Sequence, residues 1–109
     1  MKFLVAYIRP ECTSNVMRAS YKAGVGGISA YEVRGLRAET KSSLYTHHPF
    51  ELSHLDEAVK LETICTDESV DTVVSLIAEN ARTGEPGDGL IAVQEVKDVM
   101  RIRDIKQPS

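Results

Sequence analysis

The run Ala81-Arg82-Thr83-Gly84-Glu85-Pro86-Gly87-Asp88-Gly89, followed by Arg101-Ile102-Arg103, carries the groups best suited to hold an anion. A glycine-rich turn frees backbone N–H groups to face a negative charge, because glycine takes the positive φ angles that a concave nest of amides requires. The Arg-x-Arg that follows adds two guanidinium forks, which on a strand would point to the same side. Such forks match phosphate oxygens in geometry and keep their charge at every physiological pH. The chemistry this suits is recognition of phosphate, and the competing reading is a plain turn followed by a solvated basic tail.

A second concentration of chemistry lies in Tyr45-Thr46-His47-His48-Pro49-Phe50-Glu51-Leu52-Ser53-His54, which contains all three histidines of the chain. Neutral imidazole is a common ligand for zinc, copper and nickel, so His47, His48 and His54 are candidate transition-metal ligands, and Glu51 adds an oxygen. Their spacing matches no named metal motif. The competing reading is a recognition loop in which Tyr45, Phe50 and Leu52 contact a partner, the latter two as apolar anchors. No Ser/His/Asp or Cys/His arrangement follows from spacing, and no catalytic residue is assigned. Cys12 and Cys65 lie far apart and read as small buried hydrophobes.

These groups need a scaffold, and the hydrophobic pattern supplies one. Lys2 to Arg9 reads as a strand ended by Pro10. From Glu11 to Ala23, Cys12, Val16, Ala19 and Ala23 recur at helical spacing, with Gly24 as the stop. Gly26-Gly27 leads into a strand from Ile28 to Leu36, and a third runs from Val59 to Thr66, where Leu61, Thr63 and Cys65 alternate with Lys60, Glu62 and Ile64. Asp67 is the expected N-cap of a helix whose buried stripe is Val70, Val73, Val74, Ile77 and Ala81. Asp67, Glu68 and Asp71 suit that helix start better than catalysis. Leu90 to Val96 is the fourth strand. The order βαββαβ predicts an α+β, ferredoxin-like fold, an antiparallel sheet with two helices on one face. Between strands two and three, 37–57 shows no periodicity. A connection of roughly twenty residues is long for a compact domain and is expected to be a flexible, functional loop.

Bulk properties narrow the function. The chain has 109 residues, which suits one domain spanning 1–109. It has 42% apolar residues but only four Tyr, two Phe and no Trp, so the core must be aliphatic. A net charge of −3 argues against nucleic acid. No segment approaches the roughly 18 apolar residues of a membrane span, and no secretory leader is legible, so a cytoplasmic protein is expected.

With these pieces in order, the sequence resembles the PII nitrogen-regulatory signalling family. Gly24 and Gly27, Glu32-Val33 with Gly35, Lys60 and Glu62, Val70-Asp71-Thr72, Ala81 with Thr83-Gly84, Gly87-Asp88-Gly89 and Arg101-Ile102-Arg103 carry the resemblance, in family order and across nearly the whole chain. It implies a homotrimer that binds adenine nucleotides in clefts between subunits and regulates a target transporter or enzyme through its long loop. Carried over by position, Gly27, Ile28 and Ser29 line the cleft and Gly35 allows close approach. Glu62 and Ile64 sit on the adenine and ribose side, and Gly87, Asp88, Gly89, Arg101 and Arg103 hold the phosphates.

The departures are as specific as the matches. Leu90 stands where nitrogen-sensing members carry a phosphate-binding Lys, which favours ADP or AMP over ATP or simply weakens ATP binding. Glu39 replaces a Gln that positions magnesium and 2-oxoglutarate; a carboxylate still suits magnesium but repels a dicarboxylate. Ala58 replaces a Lys that pairs with 2-oxoglutarate, Arg37 replaces a Gly, and Glu51 stands at the uridylylated Tyr. The expectation is a PII-like regulator without 2-oxoglutarate sensing or uridylylation. The alternative is a metal-responsive module using the loop histidines, a context the resemblance admits because some PII-like members are encoded beside heavy-metal efflux systems.

Overall fold

The computed structural model of the chain describes residues 1–35 and 55–108. Strand β1 (Lys2–Ile8) buries Leu4, Ala6 and Ile8 on one face. Pro10, which has no N–H to continue the ladder, opens a 3-10 turn (Pro10–Cys12) that leads into helix α1 (Thr13–Lys22). The helix ends because Gly24 takes φ +74°, letting its N–H reach the Tyr21 carbonyl (3.1 Å) and the Val25 N–H reach that of Ser20 (3.0 Å). Both bonds satisfy carbonyls that the last turn would otherwise leave unpaired.

Strand β2 (Ile28–Gly35), strand β3 (Asp56–Cys65), helix α2 (Val70–Ala81) and strand β4 (Leu90–Glu95) complete the chain. The strands form one antiparallel sheet in the order β2-β3-β1-β4, with β1 and β3 central. This is the expected ferredoxin-like arrangement. Val59, Leu61, Thr63 and Cys65 are buried on β3, as strand alternation requires. They meet Val16 of α1 and Val73, Ile77 and Ala81 of α2, so the core lies between the helices and one face of the sheet. Cys12 and Cys65 are both buried and free.

The opposite face carries no element among the described residues. Register places Phe3, Val5 and Tyr7 of β1, Ala58, Lys60, Glu62 and Ile64 of β3, Ser29, Tyr31 and Val33 of β2, and Leu90 and Ala92 of β4 on it. Tyr7 is 37% exposed, Ile64 41% and Leu90 59%.

Four local expectations are corrected. Asp67 does not cap α2: its carboxylate accepts a hydrogen bond from the Met1 ammonium at 3.0 Å, and Ser69 takes the cap position. Strand β3 begins at Asp56, earlier than the expected Val59, because the pairing of β2 with β3 runs on through Arg34↔Glu57 and Gly35↔Asp56, so Asp56 and Glu57 belong to the ladder and not to the loop. An Arg34 Nη2 to Glu57 Oε1 ion pair of 2.8 Å reinforces that extension. The Glu11 part of the first helix is a 3-10 turn, and Ala23 is its exposed cap. Finally, Arg101-Ile102-Arg103 does not lie on a strand. Arg101 is extended and Ile102–Asp104 form a 3-10 turn. The strand alternation that would put both guanidiniums on one side is therefore absent.

Candidate functional site

The predicted binding residues other than Ile28 and Arg103 gather at two places, at opposite ends of the sheet. The first is an open groove of 1120 Å³ that brings together Gly27, Ser29, Glu62, Ile64 and Arg101. Its floor is the uncovered sheet face, where Ser29 stands opposite Glu62, and its rim is the C-terminal segment with Met100, Asp104 and Lys106. The Gly27 edge is tied down by Thr63, whose Oγ1 donates to the Gly27 carbonyl at 2.8 Å. Glu62 is half-buried and pairs with Lys60 at 3.4 Å, and Lys60 lies 6.0 Å from the centre of the Tyr31 ring. Arg103 is outside the groove lining and exposed; its Nε lies 3.7 Å from Asp104 Oδ1, a solvated contact of little energetic weight. Ile28 turns the other way and packs on the core.

The second place is the glycine loop. Gly35, Gly87 and Gly89 line one depression of 460 Å³ together with Tyr7, Val33, Ala58 and Leu90. Its walls are mainly apolar, and its one basic residue, Arg34, is paired with Glu57. Gly84, Gly87 and Gly89 take φ of +89°, +92° and +112°. At Gly89 the requirement is absolute, since a Cβ there would sit 1.8 Å from the Tyr7 carbonyl oxygen. The loop therefore presses its backbone directly onto β1.

Asp88 faces into the loop. Its Oδ2 accepts the N–H groups of Thr83 (2.8 Å) and Gly84 (2.9 Å), and its Oδ1 accepts the Thr83 hydroxyl and, at 3.2 Å, the Arg9 Nε–H. The Thr83 hydroxyl, the two loop amides and Arg9 hold this carboxyl well below the usual carboxylate range. Arg9, which the sequence reading passed over, also donates from Nη2 to the Pro86 carbonyl at 2.6 Å. Its signal was faint: a cation at the end of a strand, 79 positions from its partner.

His47, His48, His54, Tyr45, Phe50 and Leu52, with Arg37, Glu39 and Glu51, lie outside the described residues. Among the described residues no group of three His, Cys, Asp or Glu side chains is placed to hold a metal ion, and no helix is long and apolar enough to cross a membrane.

The family model described as nitrogen regulatory protein P-II matches residues 1–106. Among similar proteins, "Nitrogen regulatory protein P-II 2" of Methanothermobacter thermautotrophicus is 39% identical over 104 residues, which are 94% of this chain and 90% of that protein. "Nitrogen regulatory protein P-II" of Pasteurella multocida is 38% identical and that of Porphyra purpurea 35%, each over 94% of this chain and 92% of the relative.

Proposed function

This chain belongs to the nitrogen regulatory protein P-II family of signalling regulators, and we propose that it acts as a homotrimer binding one adenine nucleotide in each cleft between subunits. The observation that carries the reading is the separation of the two half-sites. The groove with Arg101 borders Phe3, and the glycine loop borders Tyr7, about 13 Å further along β1. On β3 the same two ends are Glu62 and Asp56, about 20 Å apart. One nucleotide whose phosphates meet both Arg101 and the glycine loop therefore needs the groove of one copy and the loop of another.

The uncovered sheet face supports that association. Phe3, Val5, Tyr7, Ile64, Leu90 and Ala92 form an apolar surface flanked by the two half-sites, and a second copy would remove it from water. In the completed cleft, aliphatic side chains such as Ile64 hold the base, and loop amides with Arg101 and Arg103 neutralise phosphate. The role is regulatory: occupancy is passed to a target transporter or enzyme through the segment between Gly35 and Asp56. Leu90 and Ala58 give the loop half-site apolar walls, so ADP or AMP is preferred to ATP.

Calorimetric titration with AMP, ADP and ATP, with and without magnesium, tests this reading. Binding at one nucleotide per subunit, weakened at least tenfold by Arg101→Ala and strongest for ADP or AMP, supports it. No heat with any of the three removes it.

A further inference from the structure

Two side chains, Arg9 and Asp88, make five of the hydrogen bonds that hold the glycine loop. We infer that Arg9 and Asp88 form a clasp that sets the Thr83–Gly89 loop in its phosphate-receiving shape before ligand arrives, so that both act as positioning residues and neither contacts the phosphate. The inference rests on the nucleotide reading above and deepens it.

The geometry is specific. Asp88 gathers the N–H groups of Thr83 and Gly84 on one oxygen and the Thr83 hydroxyl and Arg9 Nε–H on the other. Thr83 Oγ1 in turn accepts the Glu85 N–H at 3.1 Å. Arg9 spans from Asp88 to the Pro86 carbonyl, one fork closing both sides of the turn. Its own backbone is fixed between Ile8, the end of β1, and Pro10, and its carbonyl accepts the Cys12 N–H at 3.0 Å. The side chains of Arg9 and Asp88 are each only 25% exposed. The Arg9 charge is thus answered within the protein, and the Asp88 oxygens are occupied. A ligand phosphate meets a loop already shaped, with no need to pull it into place, and avoiding that ordering cost raises affinity.

The sign of one substitution separates this from direct contact. A carboxylate beside a bound phosphate repels it, so Asp88→Asn would tighten ADP binding if Asp88 faced the ligand. As part of a clasp, Asp88→Asn weakens ADP binding, by about fivefold, because charge-assisted bonds shaping the loop become neutral ones. Arg9→Ala weakens it by about tenfold, and Arg9→Lys, which retains the charge without the fork, falls between. The dependence of the Arg9→Ala dissociation constant on salt stays parallel to wild type, whereas Arg101→Ala flattens it, since Arg101, unlike Arg9, gives its charge to phosphate.

The experiment is ADP titration of these four variants and wild type at two salt concentrations, each protein checked by its thermal midpoint. Weaker binding in Asp88→Asn and graded loss in the Arg9 pair are expected. Unchanged or tighter binding in Asp88→Asn overturns the clasp, as does a salt dependence flattened by Arg9→Ala. Should Arg9→Ala fail to fold, Arg9→Lys and Asp88→Asn carry the same signs. A wild type that binds no nucleotide overturns the proposed function and this inference together, whereas a binding wild type with unaffected variants overturns the inference alone.

Discussion

Replacing Gly89 by Ala tests the way the glycine loop is built against β1. The added Cβ would lie 1.8 Å from the Tyr7 carbonyl oxygen and 2.8 Å from its carbon, and both atoms are backbone. No rotamer change relieves that contact, so the start of β4 must lift away from Tyr7, its partner through Leu90. Alanine at φ +112° adds backbone strain of about 1–2 kcal/mol. Displacing the strand end costs about 1–3 kcal/mol more in overpacking and disturbed ladder bonds. The expected total is about 2–5 kcal/mol. Gly84→Ala is the internal control, because Gly84 has a similar positive φ but nothing within 4 Å of its Cβ position. It should lose only the strain, about 1–2 kcal/mol. Urea denaturation at one fixed protein concentration reads the difference, the concentration being held because assembly contributes to apparent stability. Gly89→Ala should be the less stable by about 2 kcal/mol, and its ADP binding should fall with it. If the two variants lie within about 0.5 kcal/mol of each other, the close approach of the loop to Tyr7 is refuted.

Three further outcomes follow from the same geometry. The Asp88 carboxyl is held below its unfolded value, so its contribution to stability is full above the ordinary carboxylate pKa of about 3.9 and fades as pH falls toward the folded value; the stability gap between wild type and Asp88→Asn should be flat from pH 5 to 7 and shrink below pH 4 in denaturant titrations. Leu61 is fully buried between sheet and helices, and Leu61→Ala should cost about 2–5 kcal/mol by urea denaturation without changing the preference among nucleotides. Ile64→Asp places a charge on the uncovered sheet face and should dissociate the proposed trimer to monomers in sedimentation velocity while the monomer keeps its secondary structure by circular dichroism.

The parts of this fold governed by burial were legible from residue types alone. Val59, Leu61, Thr63 and Cys65 alternate because one face of β3 meets the core, and Val73, Ile77 and Ala81 recur because one face of α2 does. What escaped depends on pairings distant in sequence or on very short elements. Asp67 is an ordinary N-cap candidate until the Met1 ammonium reaches it. Asp56 and Glu57 look like loop until β2 pairs with them. The Arg101-Ile102-Arg103 motif was found by its chemistry, but a 3-10 turn of three residues has no period to announce it. Asp88 stood out as part of the glycine loop, yet the direction of its carboxylate depends on Arg9, a residue no local pattern connects to it. Gly87 and Gly89 stood out because positive φ leaves few alternatives to glycine.

The claim that each site is shared between subunits is tested most directly by mixing two inactive variants. Arg101→Ala disables the groove half-site, and Gly87→Asp, tolerant of the positive φ, puts a charge that repels phosphate in the loop half-site. Each homotrimer should show no ADP binding at the wild-type affinity in calorimetric titration. After subunit exchange between equal amounts of the two, about a quarter of the clefts join an intact groove to an intact loop, and ADP binding should return at that fraction of the wild-type capacity. Recovery of no capacity after verified exchange would mean that groove and loop serve their ligand within one subunit, and the inter-subunit site would be wrong.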